Sequence, residues 1–383
     1  MLTIGMFSDT YTPETNGVVT SIVSTAKALR RRGHRVIIVG PAHPQGDDDH
    51  PDVFHLRSTS FPFYPGFRLA FPLPAKLVAN LPNVPFDVIH AHTFFFIGCL
   101  GAYLARMRKL PLFFTYHTRF EDYAHYLPVH QRVTRAQAKW LSREFCNRCD
   151  RVIAPTVGTA ELLRSYGVTA PFSILPGGVD LESFGPQGEP PPAIAAAQGP
   201  VLLSVGRLGK EKNLDLLLDA FARFAKMRPD ARLVVVGDGP HRDELERRAK
   251  DLGCAASVTF VGALEQGELG AYYRAAGVFA FTSLTETQGL VIVEALAHGL
   301  PVVAVDCPVT AEIVTGDAGM LTADDAEAFA RALQSFFDEP RERRAIRGDA
   351  ARRAAAPFGV DALAERLEGE YERARRDAVA TGS

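Results

Sequence analysis

Leu2-Thr3-Ile4-Gly5-Met6-Phe7 and Val201-Leu202-Leu203-Ser204-Val205-Gly206 open two stretches of the chain that follow one pattern. In the first, a polar loop (8–16) leads into an amphipathic run over about 17–32, which stops at Gly33 and is followed by Val36-Ile37-Ile38-Val39. In the second, a polar loop leads into a similar run near 213–228, Pro229-Asp230 ends it, and Leu233-Val234-Val235-Val236 follows. Short apolar runs alternating with amphipathic helices are what parallel strands covered on both faces require. The fold class is therefore α/β, with two Rossmann-like units. Between them Gly185-Pro186-Gln187-Gly188-Glu189-Pro190-Pro191-Pro192 can continue neither helix nor strand, so it reads as a linker inside a boundary region near 175–198. After Pro357, a last helix from Asp361 to about Arg376 carries Leu363, Leu367 and Tyr371 at spacings of four. It must bury that stripe, although periodicity does not say against which unit. The expected division is 1–180, 181–356 and 357–383.

Composition narrows the function. With Lys+Arg 42 against Asp+Glu 44 among 383 residues, bulk attraction to nucleic acid is not part of the design. The five cysteines are too scattered for a disulfide framework, which favours a reducing compartment. The start of the chain is strand-like, without a basic leader, and the longest apolar run (94–105) is far below the about 20 residues that cross a bilayer. A cytoplasmic protein is expected, with any membrane contact peripheral. Between Val53 and Arg148, twelve Lys/Arg face four Asp/Glu, which reads either as solvated helix faces or as a surface for an anionic partner.

Neither half carries Gly-x-Gly-x-x-Gly after its first strand, and no Gly-x-x-x-x-Gly-Lys-Ser/Thr occurs, so dinucleotide and P-loop readings weaken. The strongest chemical signal is Ser283-Leu-Thr-Glu-Thr-Gln-Gly-Leu-Val-Ile-Val-Glu-Ala295, which follows the apolar Val278-Phe-Ala-Phe281. Thr287 or Gln288 would close a strand-to-helix turn and Gly289 would open the helix. The amides of Gly289, Leu290 and Val291 would then face an anion such as a diphosphate. Glu286 and Glu294 flank that position as acceptors for sugar and ribose hydroxyls; the plainer alternative is two helix-associated surface acids. Arg207 and Lys212 in the loop 207–213 are the candidate cations, with Asn213 as helix cap. The tight turn at Gly237-Asp238-Gly239-Pro240 belongs to the same edge, because ligands sit at the carboxyl ends of parallel strands. In the first half His117 follows Leu112-Phe-Phe114, and the loop from Asp9 to Val18 contains Tyr11, Asn16 as N-cap and Gly17, where backbone can approach a ligand. Cys146 and Cys149 read as one packed helix face. His90-Ala91-His92 and Asp47-Asp-Asp-His50 are weak metal patterns without supporting ligands, so no metal is assigned.

Glu286 and Glu294 have the Glu-x₇-Glu spacing of the retaining glycosyltransferases of family 4, which the chain resembles over nearly its whole length. Asp9-Thr-Tyr-x-Pro-x-x-Asn-Gly-Val18, Tyr116-His-Thr118, Pro176-Gly-Gly-Val-Asp180, Gly206-Arg-x-x-x-Glu-Lys-Asn213 and Gly237-Asp-Gly-Pro240 occur in that family's order. The resemblance implies the GT-B architecture: two Rossmann-like domains facing across a cleft, the first for the acceptor and the second for a nucleotide sugar, with the final helix crossing back to the first. By position, Arg207 and Lys212 would neutralise the donor diphosphate, Glu294 would hold the ribose, Glu286 the sugar hydroxyls, and His117 would line the reacting face of the sugar. The Gly-Gly that many members carry in the first loop is Asn16-Gly17 here. The family works without a metal or other cofactor. Arg119-Phe-Glu-Asp-Tyr-Ala-His-Tyr126 is similar to bacterial enzymes that glycosylate diacylglycerol, which brings Glu121, Asp122 and Tyr126 beside Asp9, Tyr11 and Asn16 as acceptor residues. The resemblance thus implies transfer of glucose or galactose from a UDP-sugar to diacylglycerol at the inner face of the plasma membrane. Aromatics at 61–71 and 94–96 fit either an interface or a core. The rival readings are a GDP-mannose-dependent mannosyltransferase with a phosphoinositide or soluble sugar acceptor, and a nucleotide-sugar-binding protein without transfer activity.

Overall fold

The computed structural model describes residues 1–380 except 15, 45, 47–49, 62–63, 71–80, 120, 122–130, 181–183 and 185–187. The chain forms two compact units: residues 1–178 together with 360–383, and residues 179–359.

In the first unit, strands β1 (Thr3–Phe7), β2 (Arg35–Pro41), β3 (Val53–Leu56), β6 (Val88–Ala91), β7 (Leu112–Thr115), β8 (Arg151–Ala154) and β9 (Phe172–Ile174) make a seven-stranded sheet in the order β3-β2-β1-β6-β7-β8-β9. A separate antiparallel pair, β4 (Ser58–Phe61) and β5 (Tyr64–Ala70), lies between β3 and β6 in sequence. Every pairing within the large sheet is parallel. Its two faces are covered by separate clusters of buried side chains. One contains Phe7, Ile89, Phe114, Phe145, Cys146 and Cys149, so the two cysteines are core residues as their spacing suggested. The other joins Ile4, Met6, Ile22, Leu29 and Phe113 to Val360, Leu363, Ala364, Leu367 and Tyr371 of the final helix, Val360–Ala380. The stripe at spacings of four is thus buried on the first unit, and surface pairs Arg31–Asp361 and Arg32–Glu368 lie along the same contact.

The second unit holds β10 (Val201–Val205), β11 (Arg232–Val236), β12 (Val258–Gly262), β13 (Val278–Phe281), β14 (Val302–Val305) and β15 (Gly319–Thr322), ordered β12-β11-β10-β13-β14-β15 and parallel throughout. In each sheet the strand order reverses beside the first strand, between β1 and β6 and between β10 and β13. Connections leave in opposite directions there, and a crevice opens at the carboxyl ends of the two strands. That topology decides which loops can form a site: 206–213 and 282–289 in the second unit, 8–16 and 92–95 in the first.

Leu367 is 2% exposed in the cluster that closes the lower-numbered strands, so Leu367→Ala removes a filled core position. The substitution should lower stability by about 2–5 kcal/mol, read as an earlier urea transition by circular dichroism.

Candidate active site

In the second unit the loops after β10 and β13 are tied together by backbone-directed hydroxyls. Thr282 donates to the Lys212 carbonyl at 3.1 Å, and Ser283 and Thr285 each donate to the Glu211 carbonyl at 3.2 Å. Asn213 starts the helix Leu214–Met227 in a left-handed conformation (φ 53°), but its side chain does not cap that helix. It donates instead to the Thr282 carbonyl and to Asp324. The expected capping role is corrected accordingly: the side chain serves as a third tie between the loops. Gly237, at φ 135°, packs on the backbone of Gly206, where a Cβ would stand 1.9 Å from the carbonyl oxygen. Asp238 is exposed and accepts its Leu208 neighbour's amide through its own carbonyl at 3.0 Å. The turn 237–240 therefore braces the Arg207 loop from behind.

These ties bring five of the candidate residues to one edge. Lys212 and Glu286 form an ion pair of 2.5 Å, and Arg207 lies 3.3 Å from Glu211. Gly289 is the residue ahead of the helix Leu290–Ala297; its φ of 59° is a left-handed conformation that favours glycine. The amides of Ile292 and Val293 both turn back to the Gly289 carbonyl, which leaves those of Leu290 and Val291 as the ones a helix start presents outward. Glu294, one turn further, is 7% exposed and accepts from the Tyr273 hydroxyl at 2.8 Å. Burial pushes its carboxyl up to about 7, against the lowering effect of the Tyr273 hydrogen bond. Sequence reading had no partner for this acid. Tyr273 comes from the preceding helix Gln266–Ala275, and no local spacing links the two.

The first unit departs further from expectation. Asp9 is wholly buried, and its carboxylate accepts from the Ile97 amide at 2.8 Å, the Gly98 amide at 3.4 Å and the Thr93 hydroxyl at 2.5 Å. It caps the helix Phe96–Arg108 and is not placed to meet an acceptor. Tyr11 is also core, 3% exposed among the residues under the final helix. Asn16 is the N-cap that its position suggested: Oδ1 accepts from Val18 and Val19, while Nδ2 donates to Thr10. Gly17 is exposed at the first position of that helix, with open space where a Cβ would stand. Glu121 is 3% exposed and bonded by the Tyr166 hydroxyl, with Arg119 at 3.7 Å. Three of the six acceptor candidates, Asp9, Tyr11 and Glu121, are thus buried by interactions of the fold, and Asp122 and Tyr126 lie outside the described residues. Phe94 belongs to the core, whereas Phe96 is 42% exposed.

His117 follows β7 as expected, and its ring is not alone. Its Nε2 lies 2.9 Å from Nδ1 of His92, with the rings stacked at 5.2 Å. His92 in turn stacks on His90 at 4.3 Å. Burial lowers the pKa of His90 and of His117 to about 3, and lowers that of His92 well below the usual value. Burial thus disfavours the charged form of all three rings, which face one another ring to ring. Among the described residues no group of three His, Cys, Asp or Glu is placed to hold a metal.

The sequence matches two family models, Glycosyltransferase Family 4 over residues 15–183 and Glycosyl transferases group 1 over residues 191–354. An alpha-monoglucosyldiacylglycerol synthase of Streptococcus pneumoniae is 35% identical over 79% of this chain and 70% of its own length. A GDP-mannose-dependent alpha-mannosyltransferase of Mycobacterium tuberculosis is 29% identical over 97% of both. Among solved structures, a sucrose-phosphate synthase from Thermosynechococcus elongatus superposes with a TM-score of 0.77 at 22% identity, covering 97% of this chain and 99% of that one. Paired with the two parallel sheets, that likeness gives the chain a GT-B fold. With the loops, the family models and the relatives in agreement, the chain belongs to the glycosyltransferases of family 4 and group 1.

Proposed function

We propose that this glycosyltransferase is a retaining enzyme that moves a hexose, glucose or galactose, from a UDP-sugar to the hydroxyl of diacylglycerol. The observation that carries the donor half is the convergence of Arg207, Lys212, Glu286, Gly289 and Glu294 on one edge of the second unit. In this reading Arg207 and Lys212 receive the diphosphate together with the amides of Leu290 and Val291. The charge that builds on the leaving diphosphate is then met by groups already in place, which is the largest single source of rate in many transfers. Lys212 exchanges its contact with Glu286 for phosphate, which frees the Glu286 carboxylate to accept from sugar hydroxyls. Glu294 accepts from the ribose, and His117 meets the transferred sugar. No cofactor or metal enters this reading.

The acceptor half rests on the named relatives and on the surface of the first unit. Helices Phe96–Arg108 and Gln131–Cys146 expose Tyr103, Met107, Val133 and Trp140 among Arg106, Arg132, Arg135 and Lys139. Apolar side chains beside cations suit an anionic lipid surface, and the site of action would be the cytoplasmic leaflet. No described helix is long and apolar enough to cross a membrane. The mannosyltransferase relative supports a second reading with GDP-mannose as donor. Nucleotide release from a panel of UDP- and GDP-sugars, with and without diacylglycerol, decides between the two, and absence of release with every sugar would leave only a binding protein.

Arg207→Ala and Lys212→Ala should each lower turnover by about 10²–10³; steady-state kinetics at near wild-type rate in both would remove the clamp.

Glu286→Ala should impair use of UDP-sugar and leave UDP binding nearly intact, whereas Glu294→Ala should weaken UDP itself, as calorimetry can show. Because burial holds Glu294 near pH 7 in the free protein and ribose hydroxyls favour its carboxylate, UDP binding should release a proton. Affinity should therefore rise with pH and level off above about 7. Glu294→Gln should lose that part of the pH dependence.

Binding to liposomes should rise with anionic lipid content and fall with salt, since screening acts over about 10 Å at 0.1 M. Reversing Arg106, Arg132, Arg135 and Lys139 together should release the protein at roughly 1 kcal/mol for each cation near the surface. Trp140, the single tryptophan, gives the readout: its emission should shift to the blue on anionic vesicles and not on neutral ones.

A further inference from the structure

Glu294 is held from outside its own helix. It lies on the second turn of the helix Leu290–Ala297, and its Oε2 accepts from the Tyr273 hydroxyl at 2.8 Å. Tyr273 belongs to the helix Gln266–Ala275 and is 1% exposed. Its ring is packed on several sides. His298 stacks on it at 5.3 Å with 26° between the planes, Phe184 meets it edge to face at 6.1 Å, and Phe279 lies tilted at 5.9 Å. A ring enclosed in this way cannot swing, so the place of its hydroxyl oxygen is set by the core and not by a ligand.

The bond uses one carboxylate oxygen. Oε1 has no hydrogen-bond partner among the described residues, yet it is not sealed from solvent. The two oxygens are thus unequal, one tied to the core and one open. A carboxyl buried to this degree with no such tie is driven toward the acid, which donates a hydrogen bond where the carboxylate would accept.

We propose that Tyr273 is a positioning residue of the donor site, which anchors Oε2 of Glu294 so that Oε1 alone meets the ribose as an acceptor. The assignment rests on the ribose role proposed above for Glu294. A hydrogen bond from the hydroxyl favours the charged carboxylate, and it is the lowering influence set against burial at this residue. Tyr273 stays a donor, because burial and the neighbouring carboxylate push its phenol well above its usual range. The other groups nearby do not compete. His298 Nδ1 lies 2.8 Å from the Glu294 backbone carbonyl and burial lowers the pKa of that ring, while Arg274 and Arg352 act on His298 and not on the Glu294 carboxyl. Above pH 7, Glu294 is therefore the group of this cluster that titrates.

The experiment is calorimetry of UDP binding to the full chain. Tyr273→Phe keeps the ring and removes the donor. Losing a hydrogen bond to a charged group favours the acid by about tenfold, so Glu294, near its midpoint at pH 7 in the native protein, falls to about one-tenth ionised. UDP affinity should then drop about fivefold at pH 7 and return to within about twofold of native at pH 9, where the carboxyl is ionised in both proteins. An equal loss at both pH values, or none at pH 7, overturns the proposal. With 2′,3′-dideoxy-UDP, which lacks the ribose hydroxyls, the two proteins should bind alike, and an undiminished gap would also overturn it. A second variant keeps the packing: 3-fluorotyrosine at position 273 is a stronger donor. It should move the midpoint of Glu294, followed by its ¹³C carboxyl shift with Glu294→Gln as assignment, to lower pH, whereas Tyr273→Phe moves it higher. A midpoint that ignores both changes defeats the anchoring role. If the midpoint moves as stated while UDP affinity follows neither pH nor substitution, the ribose role of Glu294 is at fault and not its anchoring by Tyr273.

Discussion

A parallel sheet buries both faces, and the first sheet of this protein cannot cover its second face with the residues that build its strands. Ile4, Met6, Val36, Ile38, Val88 and Phe113 face a layer completed by Leu363, Leu367 and Tyr371, which come from the far end of the chain. Much else follows from that requirement. The final helix orders the strands whose carboxyl ends carry the 8–16, 92–95 and 116–119 loops. Through the Tyr371 hydroxyl it also reaches His90, the base of the histidine stack. Without the helix, an apolar face of the sheet and a polar ring nitrogen would both be left facing water.

Electrostatically the two units handle charge in different ways. In the second, the acids and cations are already paired, Lys212 with Glu286 and Arg207 with Glu211, the cations partly exposed and the Glu211 side chain buried. Such pairs hold long side chains in defined positions at the loop edge. Glu294 is the exception, because its carboxyl is buried against a neutral hydroxyl. In the first unit burial works against charge: Asp9 is held among amides, and the three histidines are driven neutral. Burial leaves the Glu294 carboxyl near its midpoint at neutral pH and moves the histidines well below it.

The strand-loop-helix pattern was legible because parallel strands are continuous apolar runs and their helices are amphipathic, and the convergence of the loops after β10 and β13 follows from topology once the strands are known. Asn16 as a cap could be read for the same reason, since capping is a local interaction of a side chain with amides two and three residues on. What failed was long-range. Asp9 sits in a loop that looks poised for a ligand, yet its partners are Ile97 and Gly98, and no local pattern announces a helix capped from another strand. Asn213 carries the right residue type at the right place but a backbone φ of 53° turns its side chain toward Thr282 and Asp324. Tyr273 beside Glu294 and His92 beside His117 were invisible for the same cause: each contact joins residues more than a helix apart in sequence.

The passage from one unit to the other is made twice at one place. Gly178 lies against Val360, where an added Cβ would stand 2.5 Å from the backbone, and Val179 donates to the carbonyl of Phe358. The second unit is thus a continuous insert in the chain of the first, with its entry and exit side by side. During synthesis on the ribosome the insert can complete its sheet as soon as residue 359 has emerged, whereas the earlier half must wait, one face uncovered, until the last helix is released. The part made first is therefore finished last, and the period of greatest exposure to aggregation belongs to the unit that carries the histidine stack.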